Sequence, residues 1–478
     1  MMLKEKNTII ILTIFFLGIF FRLYNLNFED LWHDEILSFW IADPSISFFE
    51  TLSRHNQLEQ VPILFNLTLK YFYKIFGYNV YLGRYLPCFF GIISLIFCYL
   101  LSLEFKNNNS SIFFITLISF NIFLIKYSQE LRVYSLMTLL IILALYFLFK
   151  LLNKKHNKLN YFLFTTFLLF AILSHPFSII ILISVICLSI MHTIFYKENL
   201  KKLNISLFFI LVLSLIYYFL YFINLNELTS WIPQVDIKFF TNLFFSKFFG
   251  SRILGILHLA VLIFFIFKFR KNLVSSSKFQ MLVLVIIFSY SLPLIFSLIF
   301  KPLLIERYIM YLIVPVLLII SSSIYNLEKI FLRNSLVAIF IFLTFANFTT
   351  EDTFKQIFQK INKQKPDFYS ALSKMEESNH KYFIIKKILP EKKEKAKFNS
   401  LIDLALNKYS ARYISNNNFK LNLLSQDKAY LSKIEEFWII CYVDLDMSSC
   451  EVPYNKDEYL VKENIDFIRI NLKKIYLK

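Results

Sequence analysis

Long apolar stretches recur along the first 350 residues and constrain the fold more than any other feature of the sequence. A helix needs about 20 mostly apolar residues to cross the hydrocarbon core of a bilayer. The sequence therefore predicts an α-helical polytopic membrane protein with about 11 transmembrane helices. These predicted spans lie at 8–26, 82–103, 110–126, 133–149, 159–174, 176–196, 203–225, 253–267, 279–300, 308–327 and 335–348.

The charges between the spans predict the orientation of the chain, whose net charge is +18. With the N-terminus in the cytoplasm, dense groups of Lys and Arg fall in cytoplasmic loops, among them 150–158 and 268–278. Cytoplasmic loops usually carry such an excess. Most acidic residues of the spanning part then lie on the outer side, and none lies in the middle of a predicted span. Ion-coupled transporters tend to keep ionisable residues at mid-membrane, so this pattern disfavours a transporter.

The residues after about 350 differ from the spans. Short apolar runs at 380–386 and 436–443 are typical of strands, and 367–377 and 401–413 are typical of helices. We predict a transmembrane catalytic domain over 1–350, with a long first external loop at 27–81, and an extracytoplasmic soluble α/β domain over 351–478. In that domain Cys441 and Cys450 either form a disulfide or remain two thiols.

One segment of the external loop, 62–76, has a helical pattern but is unlike a span. Asn66, Lys70 and Lys74 recur every four residues and share one face of the helix. Such a polar stripe predicts a helix that lies in the membrane interface, with a short tilted span as the alternative.

Candidate catalytic residues gather at the outer ends of the predicted spans. Asp34 and Glu35 follow the first span, where partial desolvation makes a carboxylate more basic and suits a general base; a helix cap or a solvated loop is the alternative. Arginine binds phosphate bidentately, so acids and arginines on one face fit sugar transfer from a lipid phosphate to a hydroxyl. The other candidates on this face are Arg84, Tyr127, Glu130, Arg132, Tyr134, His175, Arg307 and Tyr308.

The order of these motifs over about 1–325 resembles the bacterial membrane GT-C glycosyltransferases, in the family of protein O-mannosyltransferases and aminoarabinose transferases. The matching motifs are Asp34-Glu35, Arg84-Tyr-Leu-Pro87, the Tyr-Ser-x-Glu-x-Arg-x-Tyr pattern at 127–134, Ser174-His175 and Arg307-Tyr308. The sequence departs from the family where a His-x-Pro-Pro motif is stretched between His55 and Pro62. The tail after 350 has no match.

The resemblance implies roles for individual residues. Asp34 is expected to be the catalytic base, with Glu35 holding the loop or tuning Asp34, and Glu130 orienting the acceptor or a metal. Donor phosphate would be bound by Arg84, Arg132, Arg307 and His175. Acceptor contacts or loop support would come from His55, Tyr127, Tyr134 and Tyr308. No metal is expected to be obligatory; Asp34, Glu130 and His175 are the residues that would hold a divalent one.

The resemblance also implies the reaction and its place. The expected activity is inverting transfer of a sugar from a polyprenyl-phosphate donor to a glycan, lipid or protein acceptor. The expected location is the bacterial inner membrane, with the active site and the tail facing the periplasm and no nucleic acid as partner. A polysaccharide polymerase or ligase of another membrane class is the main alternative, and a transporter or lipid flippase is the weaker one. Neither the sugar nor the acceptor is specified by the sequence.

Overall fold

The computed structural model describes residues 2–59, 61–105, 108–153, 157–195, 200–222, 232, 235–236, 246–269, 276–300, 302–350, 365–378, 381–388, 396–424, 434–443 and 458–478. The chain forms two compact units. Unit 1 contains Met1–Tyr24, Gln60–Phe65 and Pro87–Ile357, and unit 2 contains Asn25–Glu59, Asn66–Leu86 and Phe358–Lys478.

The described part of the chain is mostly helical. Its α-helices are α1 (Met2–Leu23), α2 (His33–Ile41), α3 (Phe48–Leu58), α4 (Leu64–Phe76), α5 (Tyr85–Phe105), α6 (Asn108–Ser119), α7 (Ile122–Ser128), α8 (Tyr134–Leu152), α9 (Lys158–Ser174), α10 (Ile179–Phe195), α11 (Lys201–Phe222), α12 (Arg252–Lys268), α13 (Ser277–Ile299), α14 (Ile313–Ile324), α15 (Ile330–Thr350), α16 (Phe368–Glu376) and α17 (Ala396–Asn417). Two 3₁₀ segments, Pro176–Ser178 and Glu306–Leu312, lead into α10 and α14.

Each predicted span coincides with a helix or with a pair of helices. Among the described residues, seven helical stretches are long and apolar enough to cross a membrane. The pair α6 and α7, bent by 57°, adds an eighth if it forms one span. The predicted polytopic α-helical architecture is confirmed, while the strict count by length and composition falls below the predicted eleven because helices such as α9 are short.

Two helices form the centre of unit 1. Nearly every residue of α8 and every residue of α14 is buried. A helix that is buried on all sides lies inside a bundle and not on its lipid-facing surface. Tyr134 begins α8, and Arg307 and Tyr308 lie in the 3₁₀ segment that leads into α14, so these predicted site residues adjoin well-packed elements.

The sheet of unit 2 confirms the predicted α/β tail. Its strands are β1 (Tyr382–Ile388), β2 (Asn422–Leu423), β3 (Glu436–Val443), β4 (Tyr459–Phe467) and β5 (Ile470–Leu477), in the order β2-β1-β3-β5-β4. β1 pairs in parallel with β2 and β3, whereas β5 pairs antiparallel with β3 and β4. Cys441 in β3 is disulfide-bonded, and Cys450 lies outside the described residues.

Most of the external loop belongs to the same compact unit as the tail. Within unit 2, α2 of the loop packs against α17 of the tail. The predicted division into domains 1–350 and 351–478 stays a prediction. The ring of Phe39 lies 6.1 Å from that of Tyr409 and stacks on Tyr78 at 4.3 Å. A loop of this size cannot bury the apolar face of α2 by itself, so the tail supplies the other half of the core.

The predicted polar stripe lies on α4, but most of it does not face the lipid headgroups. Asn66 and Lys70 are buried, and only Lys74 is exposed. Lys70 Nζ donates hydrogen bonds to the carbonyl of Ile46 at 2.6 Å and to Thr51 Oγ1 at 2.7 Å. The interfacial prediction is therefore wrong for Asn66 and Lys70, because the stripe supports the loop from inside unit 2.

Candidate active site

Asp34 and Glu35 lie in the first turn of α2 but have different surroundings. The side chain of Glu35 is fully buried, whereas Asp34 is only partly buried. Glu35 Oε2 accepts a hydrogen bond from the backbone N–H of Trp32 at 3.2 Å, so Glu35 caps the helix. The positive end of the helix dipole favours the ionised form of both carboxylates. Because Glu35 is fully buried and Asp34 is not, Asp34 is the more accessible of the two adjacent carboxylates.

A buried ion pair anchors Glu35. Arg84 grips the carboxylate with two hydrogen bonds, Nε to Oε1 at 2.8 Å and Nη2 to Oε2 at 2.7 Å. Lys365 of the tail adds a third, from Nζ to Oε2 at 2.9 Å. Burial opposes the charge on Arg84, but the Glu35 carboxylate and its hydrogen bonds raise the pKa of Arg84 above its ordinary value. The pair between Arg84 and Glu35 is therefore a buried structural ion pair.

Arg84 uses its other N–H groups on the backbone of the loop. Nη1 donates to the carbonyls of Leu26 and Glu29, and Nη2 donates to the carbonyl of Asp30. A guanidinium has five N–H donors, and these contacts together with Glu35 use all of them. The structure thus places Arg84 as a brace of the loop, and the predicted phosphate role receives no support.

His55 also supports the loop from inside unit 2. Its side chain is buried in α3, and its Nδ1 is 3.0 Å from Asn66 Nδ2 of α4. This contact joins two helices of the loop. We therefore read His55 as loop support, which is one of the two roles that the sequence suggested for it.

Unit 1 brings the other predicted motifs together, although they lie far apart in the sequence. The rings of Tyr127 and Tyr134 are 5.5 Å apart, and Tyr308 lies 6.2 Å from Tyr134 and 4.8 Å from His175. The guanidinium of Arg307 lies 5.5 Å from the centre of the Tyr134 ring. We call this group the junction cluster; it comprises Tyr127, Glu130, Arg132, Tyr134, His175, Arg307 and Tyr308.

His175 occupies the turn between α9 and the 3₁₀ segment that leads into α10. Its Nδ1 accepts a hydrogen bond from the backbone N–H of Phe177 at 3.3 Å, so the proton of the neutral ring is on Nε2. Burial, reinforced by the charges of Arg132 and Arg307, lowers the pKa of His175 to about 3. At neutral pH His175 is therefore an uncharged N–H donor beside two cations.

Some buried side-chain atoms of the junction cluster have no hydrogen-bond partner within the described part of the chain. They include Nε2 of His175 and Oε2 of Glu130. Both side chains are more than nine-tenths buried, since Glu130 is 6% and His175 is 1% exposed. Buried polar atoms normally have a partner, so this cluster has the character of a ligand-binding site.

We call the corresponding group of unit 2 the loop cluster; it comprises Asp34, Glu35, His55, Arg84 and Lys365. Sequence reasoning missed Lys365 and the tail tyrosines that contact the same segment of the loop. Tyr409 and Tyr413 have a faint signal, because residues four apart share one face of a helix. Over the described ranges, no group of three or more His, Cys, Asp or Glu side chains could hold a metal ion.

The bundle of apolar helices, the long loop and the terminal sheet define the class of fold, which comparison with solved structures identifies as GT-C. ArnT from Cupriavidus metallidurans in the apo state has a TM-score of 0.57 at 10% identity, covering 98% of this chain and 97% of that one. The same protein bound to undecaprenyl phosphate has a TM-score of 0.55, again at 10% identity and over 98% and 97% of the two chains. ArnT has the GT-C fold.

The archaeal oligosaccharyltransferase AglB from Archaeoglobus fulgidus, also a GT-C protein, was solved with an inhibitory peptide and a dolichol-phosphate. Its TM-score is 0.51 at 11% identity, covering 92% of this chain and 69% of AglB. No family model and no curated protein sequence matches the chain. At such low identity the structural likeness establishes the fold alone, and the GT-C fold predicted from the sequence motifs is confirmed.

Proposed function

We propose that this protein is an inverting glycosyltransferase that moves a sugar from a polyprenyl-phosphate donor to an acceptor hydroxyl, with Asp34 as general base. The GT-C fold supports the reaction class. The neighbours bound to undecaprenyl phosphate and to dolichol-phosphate support a polyprenyl-phosphate carrier as the donor. The observation that carries the residue assignment is the division between adjacent carboxylates, since Glu35 is sequestered in an ion pair while Asp34 stays partly accessible.

The proposed chemistry is a single displacement. Asp34 takes the proton of the acceptor hydroxyl while the hydroxyl oxygen forms a bond to the anomeric carbon of the sugar. The bond between that carbon and the phosphate oxygen breaks, and polyprenyl phosphate leaves with the electron pair. Attack opposite the leaving group inverts the configuration of the sugar. The first turn of α2 favours an ionised Asp34, which is the form that a base requires.

Separately from the role of Asp34, we propose that the junction cluster of unit 1 binds the phosphate of the donor. Arg132 and Arg307 are permanent cations, and charge-assisted hydrogen bonds to phosphate are among the stronger ones. The Nε2–H of His175 adds a neutral donor. Because the pKa of His175 is about 3, this side chain stabilises negative charge and does not supply a proton at neutral pH.

The acceptor and the location belong to the proposal as well. A glycan, a lipid or a protein would each offer a hydroxyl, and the peptide bound to AglB is an example of a protein ligand on this fold. The charge pattern of the loops favours a tail on the outer side of the membrane, and the resemblance to bacterial GT-C transferases implies the inner membrane of a bacterium, with the active site facing the periplasm. No step of the proposal requires a metal.

The test is donor turnover by the purified full-length protein in nanodiscs, with no ion gradient. A panel of polyprenyl-phosphate sugars is supplied with cell-envelope extract, and the release of polyprenyl phosphate is measured. Asp34→Asn keeps the shape of the side chain but cannot accept the proton, so we expect turnover to fall by about 10²-fold or more. Glu50→Gln, an exposed position in the same loop, is the matched control and should retain activity.

Two results would contradict the proposal. Full activity of Asp34→Asn would move the base to another carboxylate, first to Glu130. If the wild-type protein turned over no donor in the panel, the proposed transferase function would be wrong. A polymerase or a transporter would then be the function to test.

A further inference from the structure

The segment 29–35, which leads into α2 and contains Asp34, is held by the tail. Six hydrogen bonds within unit 2 join five residues of this segment to the tail. The bonds are Lys365 N to Glu29 Oε1 at 3.3 Å, Tyr413 OH to Asp30 Oδ1 at 2.6 Å, Tyr369 N to Asp30 Oδ2 at 3.0 Å, Leu31 N to Tyr409 OH at 3.4 Å, His33 N to Tyr442 OH at 3.1 Å and Lys365 Nζ to Glu35 Oε2 at 2.9 Å.

Two of these contacts bracket Asp34. The backbone N–H of His33 donates to the hydroxyl of Tyr442, and the carboxylate of Glu35 accepts from Lys365. The residues on both sides of Asp34 are therefore tied to the tail. With its two neighbours held, the backbone of Asp34 has little freedom to turn, so these contacts limit the direction in which its Cα–Cβ bond points.

The tyrosines that make these contacts are themselves rigidly packed. Tyr409, Tyr413 and Tyr442 are buried, and the ring of Phe368 lies 5.3 Å from Tyr409 and stacks on Tyr442 at 6.1 Å. The rings therefore position the hydroxyl groups. Burial also raises the pKa of Tyr413, with the Asp30 carboxylate acting in the same direction, so its hydroxyl stays protonated and donates to Asp30.

We propose that the tail is a positioning domain for the general base, in which Tyr442, Tyr413 and Lys365 hold the segment 29–35 so that Asp34 keeps one orientation. This inference rests on the proposed function and assigns the tail a role within it. The three are positioning residues, because they act through the backbone and carboxylates beside Asp34. Displacement of a reacting group by about 1 Å can lower a rate by about 10²-fold, so loosening this segment should slow the chemical step.

The first experiment separates rate from donor binding. Tyr442→Phe, Tyr413→Phe and the double variant each keep the ring and remove only the hydroxyl. Steady-state kinetics should show kcat reduced by about 3- to 10-fold in each single variant and further in the double variant, with the KM for donor changed less than about twofold. Tyr476→Phe, which makes the same change on β5 of the same sheet, should leave both constants and the thermal midpoint unchanged.

The second experiment does not depend on activity. Hydrogen–deuterium exchange of a peptide covering 26–37 should be at least about threefold faster in Tyr442→Phe and Tyr413→Phe than in wild type and Tyr476→Phe, because opening the segment exposes its amides. Unchanged exchange in both variants would overturn the inference. Faster exchange with an unchanged kcat would also overturn it, because the segment would then be loosened without consequence for the base.

The two proposals fail in different ways. If the wild-type protein turns over no donor, the proposed function fails, while the exchange experiment still decides whether the tail holds the segment. If the Tyr→Phe variants lose kcat only together with the thermal midpoint, the contacts serve folding alone and the positioning role is overturned.

Discussion

The loop cluster of unit 2 and the junction cluster of unit 1 contain the same kinds of side chain in opposite states. In the loop cluster, the Glu35 carboxylate is hydrogen-bonded, and all five N–H groups of the Arg84 guanidinium donate hydrogen bonds. In the junction cluster, Nε2 of His175 and Oε2 of Glu130 have no hydrogen-bond partner among the described residues. An unsatisfied buried polar atom costs about 1–3 kcal/mol. Fully satisfied hydrogen bonds, as in the loop cluster, are typical of a structural support. Unsatisfied buried atoms, as in the junction cluster, are typical of a site where a ligand supplies the missing partners.

The largest expected effect is a loss of stability and concerns the loop cluster. Arg84→Met leaves the fully buried Glu35 carboxylate without its main partner, and breaking a buried ion pair in this way costs about 3–5 kcal/mol. We expect a clear drop in the thermal midpoint of the purified protein. Lys374→Met, which breaks an exposed pair with Glu377 in the same unit, should cost no more than about 1 kcal/mol. Equal losses of stability in the two variants would contradict the interpretation that the ion pair between Arg84 and Glu35 stabilises the loop cluster.

The second effect is on donor binding and concerns the junction cluster. Removing one charged donor to a phosphate costs about 1.5–3 kcal/mol, so Arg307→Gln should weaken binding of polyprenyl phosphate by roughly 10- to 150-fold with little change in stability. Arg252→Gln, an exposed position at the start of α12, is the control. Binding is measured by titration of labelled polyprenyl phosphate into nanodiscs. Undiminished affinity in Arg307→Gln would remove the junction cluster from the donor site.

The smallest effect is a pH dependence that tests whether His175 is neutral. The pKa of His175 is about 3 in the folded protein and about 6.5 in an unfolded chain. Between these values the unfolded state binds more protons, so stability is lost as the pH falls from 6.5 toward 3. His175→Gln should therefore show a shallower decline of the thermal midpoint from pH 6.5 to 4.5 than wild type. Parallel declines would mean that His175 is protonated in the folded protein.

How far the sequence predicted the structure depended on the distance over which each signal acts. Apolar runs of span length and short strand-like runs are local, and both gave the correct elements. The grouping of Tyr127, Tyr134, His175 and Tyr308 followed from placing every motif on one face of the membrane. In contrast, nothing local indicates that Arg84 pairs with Glu35, which lies 49 residues away, or that Lys70 turns inward to the backbone of Ile46.

The union of the loop with the tail was the largest feature that the sequence did not reveal. An amphipathic helix such as α2 shows that it has an apolar face but not which element covers that face. The covering element, α17, begins more than 350 residues further along the chain. A short motif search over the loop therefore finds Asp34 and Glu35 but not the tyrosines that hold them.

This arrangement also imposes an order on biosynthesis. The segment 29–35 leaves the ribosome well before its partners in the tail, since the contact between His33 and Tyr442 spans 409 positions. At about 5–20 residues per second, the loop waits some 20–80 s for the tail. During that interval Arg84 can already pair with Glu35, but the tyrosine contacts cannot form. The loop is thus completed in two stages, and the second stage follows the insertion of the whole helical bundle.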